Sequence, residues 1–143
     1  PEGDAGPVGP SGTVATFLAI GDAGSDGPNI NGQLYSFPSC FTESYRAGEG
    51  EVAIVTASVG LELSGSLQGH IRAAHTVNGG AVQTAGNYFI RDMTNVDVVV
   101  FDRIELTEGS TYTFGSGYQL QGASASRERL RCQTQVTIVR EAE

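Results

Sequence analysis

The chain has 143 residues, with sixteen acids against eight basic side chains, all of them arginine, for a formal charge of −8. A surface of that sign repels phosphate backbones and anionic lipid, which excludes nucleic-acid binding as an expectation. No run approaches the ~18 apolar residues of a helical membrane span, so membrane insertion is not expected either.

The chain opens on four X-Y-Gly triplets, with glycine at Gly3, Gly6, Gly9 and Gly12. Three polyproline-II strands wound together leave no room for a Cβ at their axis, and this imposes glycine at every third residue. Glycine is 20 of 143 residues; four in phase arise by chance on the order of once in 2,000 starts. Residues 1–12 therefore read as the end of a collagen-like stalk, and residues 13–143 as one globular head, enough for a single core. A triple helix needs three chains, and four triplets are too few to hold them, so the head is expected to bring two further copies of itself into a homotrimer. All three stalk prolines (Pro1, Pro7, Pro10) sit at X and none at Y. This points away from animal collagens, which favour hydroxylated proline at Y. A chain that lacks an initial Met and opens directly inside a triplet repeat is expected to be a fragment, and Arg140–Glu143 reads like a natural end.

In the head the pattern is β throughout. Thr13 to Ile20 reads as a first strand and Gly21 to Gly32 as a loop of turn residues. Gln33 to Tyr45 reads as an aromatic strand or hairpin broken at Pro38. Glu51 to Leu63 and Leu67 to Val77 are two further strands, and Asn78-Gly79 predicts a tight type I′ hairpin turn. Return strands are expected near Ala81 to Gln83 and Asn87 to Asp92. From Val96 to Leu106 the apolar residues Val96, Val98, Val100, Ile104 and Leu106 share one parity, and Asp97, Arg103 and Glu105 the other. Glu108-Gly109 turns the chain into Ser110 to Leu120; Gln121 to Arg127 is a polar loop, and Arg131 to Arg140 closes the domain. Eight to ten short strands with turns every 8–12 residues predict an all-β sandwich, of jelly-roll type.

The triplets, the strand Glu51–Ser58, the stretch from Glu105 to Phe114 with its acidic-glycine turn and Tyr-x-Phe strand, and the closing strand Gln135–Val139 carry a family likeness. Together they resemble the complement-type and tumour-necrosis-factor-like superfamily, and more closely the C-terminal heads of bacterial collagen-like surface proteins. The resemblance implies a trimer of jelly rolls whose apolar faces meet on the three-fold axis. Such heads align collagen chains and often bind a surface, glycan or protein partner. It carries over no individual ligand residue.

Cys40 and Cys132 have no metal-ligand spacing around them, so in an extracellular setting one intrachain disulfide is expected; two buried thiols or links between chains are the alternatives. Asp22, Asp26, Asn29 and Asn31 are oxygen donors of the type calcium takes, without the spacing of an EF-hand, and turn formation is the simpler reading. Asp92, Asp97 and Asp102 raise the same question for a site on a three-fold axis. His70 and His75 fall at opposite parity on one strand and cannot chelate one ion within a chain; both read as partly exposed strand residues. Arg72 shares a face with His70 and is expected to pair with an acid on a neighbouring strand. Glu105/Glu108 form a carboxylate pair of the kind used on sugars, but any acidic β domain has such pairs. No nucleophile elbow or phosphate loop is present, and no cofactor is implied.

These residues point to a non-enzymatic trimerisation head of an extracellular or cell-surface collagen-like protein, which aligns the triple helix and presents a surface for adhesion or ligand binding. The alternatives are the receptor-binding tip of a phage or viral fibre on a virion surface, and a glycan-active enzyme on a jelly-roll scaffold.

Overall fold

The computed structural model describes residues 12–24, 34–36, 38–120 and 126–141. Its strands in chain order are β1 (Gly12–Ala23), β2 (Leu34–Tyr35), β3 (Tyr45–Arg46), β4 (Glu51–Val77), β5 (Gln83–Glu105), β6 (Thr111–Leu120) and β7 (Ser126–Arg140), with one 3-10 turn at Pro38–Cys40. All strand pairing is antiparallel.

Strands β4 and β5 make one long hairpin, and every other strand is placed against β4 or built outward from there. The Asn78-Gly79 turn that closes the hairpin has φ of 52° and 71°, the double left-handed geometry of a type I′ turn. The two short strands expected before this turn are joined into β4, and those expected after it into β5, which begins only at Gln83. Residues 64–66, read as a break, are absorbed as register shifts between Glu62 and Gly69, because β7 pairs on through Leu63 and Ser64 and β5 resumes pairing at Leu67. A bulge bends a strand without ending it. The first strand likewise runs on to Ala23, since β7 keeps pairing with it as far as Leu130. Pro38, which lacks an amide hydrogen, opens the 3-10 turn that separates β2 from β3.

Bent at those bulges, the hairpin belongs to two layers. In the first layer the order is β1–β7–β4–β5, using the Glu51–Ser64 arm of β4. In the second it is β2 and β3–β6–β4–β5, using the Gly69–Val77 arm. Val55, Val59, Val136 and Ile138 from the first layer and Ile71, Phe114 and Tyr118 from the second are each fully buried in a single core cluster. The two arms of β5 also approach each other. Gly86 has φ of +54°, and a Cβ there would lie 2.5 Å from the Phe101 carbonyl oxygen. Only glycine allows both the left-handed backbone and that contact.

Cys40 and Cys132 form a disulfide with Cα atoms 5.7 Å apart. It ties the 3-10 turn to β7, and a buried hydrogen-bond network repeats the tie. Thr134 Oγ1 donates to the Cys40 carbonyl at 2.7 Å and lies 2.9 Å from Ser116 Oγ on β6. Both side chains are fully buried, where an unpartnered hydroxyl would be costly.

Candidate functional site

Of the four oxygen donors considered for calcium, Asp26, Asn29 and Asn31 lie outside the described residues. Asp22 is held by Arg129, whose Nη2 and Nε reach Oδ2 and Oδ1 at 2.7 and 3.3 Å. That hydrogen bonding keeps the Asp22 carboxyl below its ordinary range. Gly3, Gly6 and Gly9 also lie outside the described residues; Gly12 is the first residue of β1.

Asp92, Asp97 and Asp102 are strung along β5 and do not converge. Asp92 is a left-handed residue with φ of 59°. Asp97 is exposed opposite Gly60, and Asp102 is half-buried opposite Val55. Among the described residues no three His, Cys, Asp or Glu side chains come together as a metal site would need. Glu105 accepts from Arg103 at 3.3 Å, and Glu108 stands exposed in the turn before β6.

The two histidines do face opposite ways, but only one is a surface residue. His75 is 9% exposed, in the core-facing row between Phe114 and Gln83. Burial lowers its pKa, with Asp102 and a hydrogen bond to Gln83 opposing. The expectation of partial exposure fails for His75, because in the bent hairpin its row closes over the core. His70 lies on the outward side, its ring 5.0 Å from that of Phe89 and its Nδ1 3.3 Å from Asn87 Oδ1. Arg72, one row away, is flanked by Asn87 and Gly117 rather than by an acid. Its Nε is buried and has no hydrogen-bond partner among the described residues.

The outward side of the first layer has a different character. Two complete cross-strand rows, Leu18–Gln135–Thr56–Phe101 and Ile20–Gln133–Ser58–Val99, contain no charged residue. They are apolar at both margins and polar but neutral between. Leu18, Ile20, Val99 and Phe101 are 58, 65, 46 and 69% exposed, a concentration that isolated surface apolar residues do not explain. A shallow groove of about 320 Å³ borders the second row, lined by Ile20, Ser58, Gly60, Asp97, Arg131 and Gln133 among others.

At the end of this face where Gly12 pairs with Arg140, a buried carboxylate organises the junction. Glu51 is 3% exposed; its Oε1 accepts from the Tyr45 hydroxyl at 2.6 Å and the Gly48 amide at 2.7 Å, and its Oε2 from Arg140 at 3.2 Å. The Tyr45 pKa is pushed up to about 12 by burial and by this carboxylate. Nothing in the sequence singled out Glu51, since an acid opening a strand is ordinary. Phe101 could have been noticed, because it sits at the parity of Asp97, Arg103 and Glu105.

Compared with known proteins, the chain matches no family model and no curated protein.

Proposed function

We propose that this chain is a non-enzymatic trimerisation head of an extracellular collagen-like protein. In this reading the two-layer sandwich is a jelly roll of the tumour-necrosis-factor-like type that gathers and aligns three stalk chains and presents a surface for adhesion. The observation that carries the reading is at Gly12, which is both the last glycine of the triplet register and the first residue of β1. The stalk period passes into the sheet with no linker, so three stalk chains at triple-helix spacing bring three β1 strands together.

The two uncharged rows support the same reading, since they begin six residues along β1 from that junction, about 20 Å. Their unlike margins suit a heterologous contact, β1 of one head against β5 of the next, which a three-fold ring closes. Burying these margins offsets the entropy of collecting three chains, and the stalk then winds with little further loss. The buried disulfide suits an oxidising, extracellular setting.

Light scattering on a sizing column tests it with the whole chain. The expected result is the mass of three chains for the natural sequence and of one for Leu18→Glu or Phe101→Glu, with circular dichroism unchanged. A single-chain mass for the natural sequence at micromolar concentration overturns the proposal.

A further inference from the structure

We infer that the outward side of the second layer is a binding site for an acidic carbohydrate, one carrying carboxylates on a sugar ring. Five side chains make it. His70 and Phe89 are paired across β4 and β5, as are Arg72 and Asn87 in the adjoining row. The Arg91 guanidinium lies over the Phe89 ring, 5.8 Å from its centroid. These residues point away from the core, since the intervening Ile71 is the fully buried one.

The electrostatics single this patch out. The chain carries sixteen acids and a charge of −8, yet two arginines and a histidine share this side of the hairpin, and among the described residues no acid pairs with them. Elsewhere Arg103, Arg129 and Arg140 are each bound to a carboxylate; Arg46 and Arg131 make no ion pair among the described residues, but neither lies over an aromatic ring as Arg91 does. Arg72 and Arg91 make no ion pair among the described residues, and the exposed Asp92 beside Arg91 in sequence is not bonded to it. Arg72 lies deeper, its Nε buried and without a hydrogen-bond partner among the described residues, and it adds positive charge beneath the patch rather than a contact. An uncommitted guanidinium such as that of Arg91 is what a carboxylate ligand needs, and its planar fork matches it.

The aromatic ring decides the ligand class. Phe89 is 41% exposed, with Arg91 over it and His70 tilted against it, so it is oriented rather than loose. A flat apolar surface beside cations and amide groups suits a pyranose. The sugar's C–H face rests on the ring, its carboxylate meets Arg91, and its hydroxyls reach His70 and Asn87. A free phosphate would use Arg91 and leave the ring idle, and a neutral sugar would leave Arg91 idle. The patch also lies on the layer opposite the proposed seam, so a trimer would hold three copies facing outward. The inference deepens the surface-presenting part of the proposed function and is independent of its trimer part.

Three probes of equal length separate the outcomes by calorimetry on the whole chain: hexagalacturonate, maltohexaose and hexaglutamate. Hexagalacturonate is expected to bind, with affinity falling about tenfold in Phe89→Ala and at least as much in Arg91→Glu. Maltohexaose is expected not to bind, and Arg46→Glu, an equal charge change at an exposed site elsewhere, to keep most of the affinity. Failure of hexagalacturonate to bind overturns the inference, as does equal binding of maltohexaose. Equal binding of hexaglutamate overturns the carbohydrate assignment in favour of an acidic peptide, and undiminished binding by Phe89→Ala overturns the site. Melting curves confirm that each variant is folded. A trimer that binds no acidic sugar defeats this inference alone, whereas a single-chain head that binds hexagalacturonate defeats the trimer alone.

Discussion

The two outward faces of the β4–β5 hairpin come from the same two strands and are finished in opposite ways. On the second layer the chain covers part of its own surface. A Cβ on Gly115 would lie 2.5 Å from the Phe41 ring, so Phe41 lies directly against the backbone of β6. The Thr42 amide donates to the Phe114 carbonyl, and the Phe114 amide to Thr42 Oγ1. On the first layer nothing from the described chain lies over Leu18, Ile20, Val99 and Phe101, although they are more apolar than the covered strip. Glycine marks the surface that the chain closes for itself. Uncharged, bulky residues mark the one that the described chain leaves open.

The largest test of this contrast removes the fastening of the cover. Cys40→Ser with Cys132→Ser opens a loop of 92 residues. It should cost about 4–5 kcal/mol on the chain-entropy model, read from urea unfolding. Hydrogen exchange in 112–119 should rise with it, while exchange in 52–60 of the first layer changes less. Uniform change across both layers would mean that the cover is not a separate unit.

The next effect compares the same substitution on each face. Gly115→Val drives a side chain into Phe41 and should cost about 1–3 kcal/mol in urea. Ser58→Val, outward on the first layer, should stay within about 0.5 kcal/mol. Equal costs would erase the distinction between closed and open faces.

A smaller effect follows from His75, in the core-facing row of the hairpin. Its folded pKa lies below the unfolded value of about 6.5. The unfolded chain therefore binds more protons as pH falls through that value, and stability is present above pH 6.5 and declines below it. Melting temperature should drop between about pH 6.5 and 5, and His75→Gln should flatten that slope. An unchanged slope would assign it to carboxylates, whose window lies lower. The smallest effect belongs to Leu18→Ser, which should move the unfolding free energy of an isolated head by no more than about 0.5 kcal/mol.

The core of the fold was legible because it obeys a two-residue period. Val96, Val98 and Val100 fall on the inward parity as expected, and Asn78-Gly79 makes the turn that its composition demands. Strand limits were less legible, since Ser64-Gly65-Ser66 has the composition of a turn and becomes a bulge only because β5 pairs past it. The cover was not legible at all: a glycine in a strand reads alike whether or not a phenylalanine lies on it. The contact of Arg91 with Phe89 and the row of Arg72 depend on shifts of register, including the bulge before Ala73. Sequence spacing does not encode those shifts.

The pairing of Gly12 with Arg140 also decides how the head bears load. Tension between the N-terminal end of β1 and the C-terminal end of β7 would enter both strands at the same edge and part their pairs one after another, as a zipper opens. Tension between the N-terminal end of β1 and the opposite end of the sheet would instead slide β1 along β7, straining the whole ladder at once. Single-molecule pulling in the two geometries should give a low rupture force for the first and a high one for the second. Such a domain yields to a tug on its own terminus and resists a tug on whatever it holds.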